Sequence, residues 1–430
     1  MSTSPVTWPK ALPWSDPTGM AGTRMAEEVR SIVMVGPFGL RPRGTMRARA
    51  LPMAQALARR GHRVTLVLPP WQSPEDSGRD AVIGGVRVIQ VPLPSRRPSW
   101  VFHIELTRRL VAAVLRERPQ IVHLFKPKAY AGLVHWSLWH MRRLGRFAGA
   151  LVLDTDDWEG PGGWNDRNPY PPAQRRFFAW QERWGMAHAD ALTVASRALE
   201  TLAWAMGLPP RQVFYLPNAA FFTAPPRPRP ADPPRILLYT RFLEFDPGRL
   251  VRVMTELARR DPALEFLYVG QALGDEAERF REGLAHAGLI PRLRWIGWVD
   301  PERLPDALRQ GHLALYLMDD DLIHRAKCPM KLIDLLAAGL PVVADAVGQV
   351  PEYIRHGETG WLVPPGDEAA MVEAAWRLLQ DPETAWHLGE QARQDILARH
   401  RWENRLPVLE AAYATALARA DRSQTRRRPA

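Results

Sequence analysis

Short apolar runs alternate with longer amphipathic stretches along most of this chain, and the series starts twice. In the first half, residues 31–35 (SIVMV) and 64–68 (VTLVL) read as buried strands. Between them, 46–60 has the three-to-four spacing of an amphipathic helix closed by Gly61. Residues 121–124, 151–153 and 191–194 are further strand candidates. The series restarts with strand 235–239, helix 248–260 and strand 265–269, and continues through strands 293–296, 313–317 and 341–344. Strand-helix repeats of this kind build parallel sheets covered by helices, so the expected class is α/β with two doubly wound domains. Helical patterns follow at 368–379, 382–400 and 402–418.

The break between the two series is residues 223–234, TAPPRPRPADPP. Proline at this density suits neither a helix interior nor a central strand, so an extended connector is expected. The predicted organisation is a disordered leader at 1–29, an N-terminal domain at 30–222, the linker, and a C-terminal domain at 235–401. A C-terminal helix at 402–420, packing back toward the N-terminal domain, and a basic tail at 421–430 complete it. At 430 residues the chain is long enough for two cores.

Composition narrows the chemistry. One cysteine, Cys328, excludes a disulfide framework and a cysteine-built zinc site, and favours a reducing compartment. No apolar run reaches the ~18 residues of a membrane span, and the N-terminus lacks a secretory pattern. A cytoplasmic location is expected, with peripheral attachment at the inner membrane face as an extension. The formal net charge is +11. It is compatible with an arginine-rich composition alone, an anionic substrate or an anionic membrane surface. Nucleic acid is not expected, because no zinc-finger spacing or RNA-binding aromatic motif occurs. Two stretches pair arginine with aromatic residues: Arg96, Arg97, Trp100, Phe102, Arg108 and Arg109, then Arg175, Arg176, Phe177 and Phe178. Such stretches suit anionic lipid, and equally a solvated helix face.

The segment with the most chemical content is 327–343, KCPMKLIDLLAAGLPVV. Pro329 suits a helix start, Gly339 and Pro341 a helix end, and Val342 and Val343 a buried strand. A helix N-terminus offers free amides and a positive dipole end to phosphate. Lys331 falls in that first turn. Asp334, one helical step of ~4.5 Å further on, is spaced to accept hydrogen bonds from ribose hydroxyls if Lys331 meets a diphosphate. The only lysines besides Lys10 form two close pairs, Lys126 with Lys128 and Lys327 with Lys331. In an arginine-rich chain this suggests a need for compact ammonium charge. Asp154, Asp156 and Asp157 stand together in DTDDWEGPGG, with Trp158 and Trp164 as candidate stacking partners for a ligand. A loop with Gly36, Gly39 and Gly44 follows the first strand without the spacing of a dinucleotide fingerprint.

The run KLIDLLAAGLPVV, with GQVPEYIRHGETGWLVPPGD downstream, resembles the retaining glycosyltransferases of the GT-B fold, particularly family 4. That resemblance implies two Rossmann-like domains facing a central cleft. The reaction it implies moves a sugar from a nucleoside diphosphate sugar to an acceptor hydroxyl, with no metal cofactor. It assigns Asp334 to the donor ribose. Arg241, in LLYTRFLEFDPG, and Lys331 take the catalytic role of stabilising the departing diphosphate, with Lys327, Gly39 and Gly44 as further phosphate contacts. His123, Lys126, Asp154, Asp156 and Asp157 become candidates for the acceptor side, where the partner is a sugar, a lipid or a small molecule. Two positions depart from the family pattern: Ala326 replaces a glutamate and Asp246 a lysine. A non-catalytic sugar-nucleotide binder, or a phosphorylase or epimerase of the same architecture, is the alternative.

Overall fold

Each of the ten apolar runs forms a parallel strand. The computed structural model describes residues 29–41, 44–95, 99–220, 222–226, 233–272 and 274–425. Most of the expected leader, the middle of the proline-rich linker and residues 426–430 lie outside them. Residues 421–425, expected in the tail, instead continue the last helix, Trp402–Thr425.

The chain divides into two compact units. Among the described residues of the N-terminal unit the strands are β1 (Ser31–Val35), β2 (Arg63–Leu68), β3 (Asp80–Ile83), β4 (Val86–Gln90), β5 (Ile121–Phe125), β6 (Ala150–Thr155), β7 (Ala191–Val194) and β8 (Val213–Tyr215). They lie in the order β3-β4-β2-β1-β5-β6-β7-β8. Only β3 is antiparallel, joined to β4 through Gly84 and Gly85. Both glycines have positive φ, the requirement of a tight two-residue hairpin turn. This hairpin was not among the expected elements, although its Gly-Gly signal is in the sequence.

Alternate β1 residues enter opposite cores. Ile32 and Met34 join a layer with Met46, Leu57 and Phe125. Val33 and Val35 join one with Leu106, Leu110 and Val122. The Trp402–Thr425 helix closes the first layer with Trp402, Leu406, Leu409 and Tyr413. Residues Ala326–Cys328 also belong to this unit. The Ser196 hydroxyl donates to the Ala326 carbonyl at 2.7 Å, and the Asn218 amide to Cys328 Sγ at 3.2 Å.

The C-terminal unit holds β9 (Arg235–Tyr239), β10 (Glu265–Val269), β11 (Leu293–Gly297), β12 (Leu313–Tyr316), β13 (Val342–Asp345) and β14 (Trp361–Val363), in the order β11-β10-β9-β12-β13-β14. The order reverses between β9 and β12, as it does between β1 and β5 in the other sheet. In open parallel sheets ligands bind beyond the strand C-termini at such a reversal.

Candidate active site

In the C-terminal unit that reversal leads to a pocket. It is lined by Tyr239 and Thr240 from the end of β9, Glu244 from the loop beyond, Tyr316 and Leu317 from the end of β12, and Lys331. Lys331 lies on the helix Met330–Ala337, which Pro329 precedes and Gly339 (φ +78°) ends. Leu332, Ile333, Leu335 and Leu336 are all fully buried. The helix is therefore driven into the core by apolar contact, and it carries Asp334 in with it.

Asp334 is 4% exposed. Tyr239 Oη donates a long hydrogen bond of 3.4 Å to its Oδ2, and Oδ1 has no hydrogen-bond partner among the described residues. Burial pushes its carboxyl up to about 8, against the opposing pull of Tyr239 and Lys331. An orphaned buried oxygen of this kind costs about 1–3 kcal/mol, so its retention marks a position suited to hydroxyl or amide donors from elsewhere.

Around it the cations differ. Lys331 Nζ lies 2.7 Å from Glu244 Oε1, so its charge is already balanced. Arg241 is half-buried, stands 5.8 Å from the Trp298 ring centroid, and makes no ion pair among the described residues. Beside it Phe242 adopts φ +60°, a conformation disfavoured for a residue with Cβ. It is held there by Tyr268 and Phe280, whose ring centroids lie 5.3 and 4.8 Å away, and by the hydrogen bond its backbone N–H donates to Thr240 Oγ1. The strain thus fixes the backbone next to the unpaired arginine. Asp246, at the family's lysine position, is exposed.

The N-terminal candidates call for correction. His123 lies within β5, not at its end, and is fully buried. Its ring nitrogens meet Tyr413 Oη at 3.0 Å and Thr193 Oγ1 at 3.3 Å, and burial lowers its pKa to about 4. It is a neutral packing residue with both nitrogens used inside the unit. Asp154 receives Arg49 through two bonds, Nε to Oδ1 at 2.8 Å and Nη2 to Oδ2 at 2.7 Å. Burial pushes this carboxyl up, but Arg49 outweighs burial and holds it below the usual range. Asp154 therefore braces the sheet and is not offered to an acceptor.

Lys126 is bound by Asp157 at 2.5 Å and Asp156 at 3.0 Å, and Lys128 by Glu159 at 2.5 Å. The lysine pair, expected to offer compact ammonium charge to a ligand, is in fact neutralised by carboxylates of the loop that follows the neighbouring strand β6. Trp158, expected to stack on a ligand, is buried and donates to the Pro161 carbonyl. Gly36 and Gly39 have packing reasons: a Cβ would approach Met46 Sδ to 2.6 Å and Gln90 Oε1 to 3.1 Å respectively. At Gly44 a Cβ would meet nothing. The two lysines of KCPMK part company, Lys327 going with the N-terminal unit and Lys331 with the C-terminal unit. Ala326 is fully buried in the N-terminal core, an apolar contact where the family carries an acid.

Sequence reasoning missed Tyr239 and Glu244, which condition Asp334 and Lys331. Tyr239, the last residue of a strand at a sheet reversal, carried a positional signal. Glu244 carried none. Among the described residues, no group of three or more His, Cys, Asp or Glu side chains could hold a metal ion.

Residues 44–219 match the model of the glycosyl transferase 4-like domain, and residues 234–381 that of the glycosyl transferases group 1. The chain is a GT-B glycosyltransferase. A curated relative of this glycosyltransferase is the 2-deoxystreptamine N-acetyl-D-glucosaminyltransferase of Streptomyces fradiae, 27% identical over 73% of this chain and 77% of that one. Sucrose-phosphate synthase from Thermosynechococcus elongatus shares the fold, with a TM-score of 0.69 at 22% identity, over 90% of this chain and 100% of that one. Anabaena HepE in complex with UDP-glucose does so with a TM-score of 0.60 at 15% identity, over 91% and 99%. Among the described residues, no helix of the enzyme is long and apolar enough to cross a membrane.

Proposed function

We propose that this glycosyltransferase moves a sugar from a nucleoside diphosphate sugar to an acceptor hydroxyl with retention at the anomeric carbon. It works in the cytoplasm, in the synthesis of a glycolipid, polysaccharide or cell-envelope glycan. The observation that carries the reading is Asp334, a buried carboxylate with one unpartnered oxygen beside the pocket at the β9–β12 reversal. Ribose hydroxyls are the donors it takes. Arg241, which makes no ion pair among the described residues, meets the diphosphate, together with Lys331 and the first-turn amides of the Met330–Ala337 helix.

The energetic problem is negative charge developing on the departing diphosphate. Fixed cations and amide dipoles aimed at that charge stabilise it without reorganising as the bond breaks, and this reading asks for no metal. Lys331 contributes in proportion to how far it leaves Glu244 for phosphate. No protein nucleophile is required if the leaving phosphate assists attack on its own face of the sugar. The relative that transfers N-acetylglucosamine and the fold neighbour bound to UDP-glucose make UDP-N-acetylglucosamine and UDP-glucose the first donors to try.

The test is calorimetric titration with those donors, alongside NMR of the product's anomeric proton. Asp334→Ala should weaken donor binding by ~10-fold or more, as loss of a charge-assisted contact requires. Unchanged affinity in that variant would remove the ribose assignment, and an inverted product would remove retention.

A further inference from the structure

Three helices of the N-terminal unit, Ser99–Arg116, Ala129–Arg143 and Pro172–His188, lie side by side, the second touching both others. Their outer positions are unusually apolar for a surface. Trp100 is 68% exposed, Ile104 62%, Trp136 42%, Trp180 41% and Phe177 40%. The aromatic members are not scattered. Trp136 meets His140 at a tilt, 4.1 Å between centroids, His140 lies nearly parallel to Trp184 at 6.5 Å, Trp184 meets Trp180 at 6.0 Å, and Trp180 meets Phe177 at 5.8 Å. A continuous aromatic row therefore crosses from one helix to the next.

The charge around that row has one sign. The three helices contain two carboxylates, Glu105 and Glu182. Glu182 is fully buried, and Glu105 is held by Arg108 and Arg109. Arg143, Arg176 and Arg183 are exposed beside the aromatic residues. A partner must therefore offer negative charge and accept tryptophan rings at the boundary between polar and apolar surroundings. Tryptophan and arginine are the residues that settle at the headgroup level of a bilayer. A symmetric pair of copies would instead set one arginine-lined face against another, with only the already paired Glu105 on these helices to answer it.

The geometry points to this three-helix face as the surface on which the protein docks onto an anionic lipid bilayer. The ring row enters the headgroup layer, and the arginines meet lipid phosphates. Basic residues near an anionic leaflet add to binding individually, and salt screens the attraction. The surface uses no residue of the donor pocket, so it stands whichever sugar is transferred.

The full-length protein should float with vesicles of phosphatidylcholine mixed with phosphatidylglycerol. It should bind phosphatidylcholine alone at least ~10-fold more weakly and dissociate from the mixed vesicles in high salt. Phe177→Ser with Trp180→Ser should reduce binding by ~10-fold or more, and so should Arg176→Glu with Arg183→Glu. Both pairs are exposed, so circular dichroism and the thermal midpoint should stay as in the parent. If either pair disturbs folding, Trp100→Ser with Ile104→Ser tests the same face from another helix. No binding to the anionic vesicles, or binding that survives all three variants, overturns the proposal. So does a concentration-dependent dimer that these variants dissolve while vesicles remain unbound, which would make the face a self-association surface. Donor binding is measured separately, so failure here leaves the transferase reading untouched.

Discussion

The two units secure their sheets in the same way and then diverge in how they treat the remaining charge. In the N-terminal unit Arg49, from the segment after β1, forks onto Asp154 of β6, two strands from β1 in the sheet. In the C-terminal unit Arg249, from the helix after β9, forks onto Asp345 of β13, two strands from β9. Both of its bonds are 2.8 Å, and Asp345 also accepts from the Met318 amide at 2.8 Å. Equivalent places in two parallel sheets thus carry equivalent buried locks. Beyond the lock, the N-terminal unit matches Asp156, Asp157 and Glu159 to Lys126 and Lys128. Among the described residues, the C-terminal unit leaves Asp334 with an unpartnered oxygen and Arg241 with no ion pair. Glu182 of the N-terminal unit also keeps a buried oxygen without a partner among the described residues, so what sets Asp334 apart is its place beside the pocket at the sheet reversal.

The largest effect should come from breaking the shared feature. Arg49→Ala and Arg249→Ala each strand a buried carboxylate, at about 3–5 kcal/mol of stability. Urea unfolding curves would show it, and a loss under 1 kcal/mol in one unit alone would end the parallel.

Next is Arg241→Ala, which should lower kcat by ~10²–10³ if the guanidinium meets developing phosphate charge. Its unfolding midpoint should barely move, because no ion pair is lost. Steady-state kinetics and thermal unfolding on one preparation separate the two outcomes.

Asp334→Asn has effects of opposite sign. Donor affinity should fall by ~10-fold, since an amide replaces an acceptor needed in its ionised form. The ligand-free protein should become more stable at neutral pH. With its pKa raised to about 8 in the folded chain, Asp334 keeps its proton where the unfolded chain has released it. Its stabilising contribution is therefore present below ~4 and is lost as pH rises toward 8. A thermal midpoint above the parent's at pH 8, converging with it near pH 4, is the expected pattern. A lower midpoint at both pH values would mean that the carboxylate is structural after all.

The smallest effect is Glu244→Gln. Weakening the hold of Glu244 on Lys331 should tighten donor binding only a few-fold, because the amide of the variant can still accept a hydrogen bond from the lysine at this 2.7 Å position. Weaker binding, measured by calorimetry, would show instead that Glu244 positions the lysine for phosphate.

What the sequence determined by itself is what short-range physics controls. Apolar runs of three to five residues between amphipathic stretches specify strand-helix repeats, and their restart after the proline-rich stretch specifies two units. Pro329, Lys331, Asp334 and Gly339 stand in an order that makes one helix with a lysine and a carboxylate a step apart. The β3–β4 hairpin was also legible in Gly84 and Gly85.

Whether each charge is already answered was decided only by tertiary structure. The partners come from far along the chain: Tyr413 for His123 at 290 residues, Asp154 for Arg49 at 105, Tyr239 for Asp334 at 95 and Glu244 for Lys331 at 87. Local pattern can bring an aspartate to a strand end or a helix face. Only the packing of distant segments removes water from it, supplies an arginine to Asp154, and leaves Asp334 without a full set of partners.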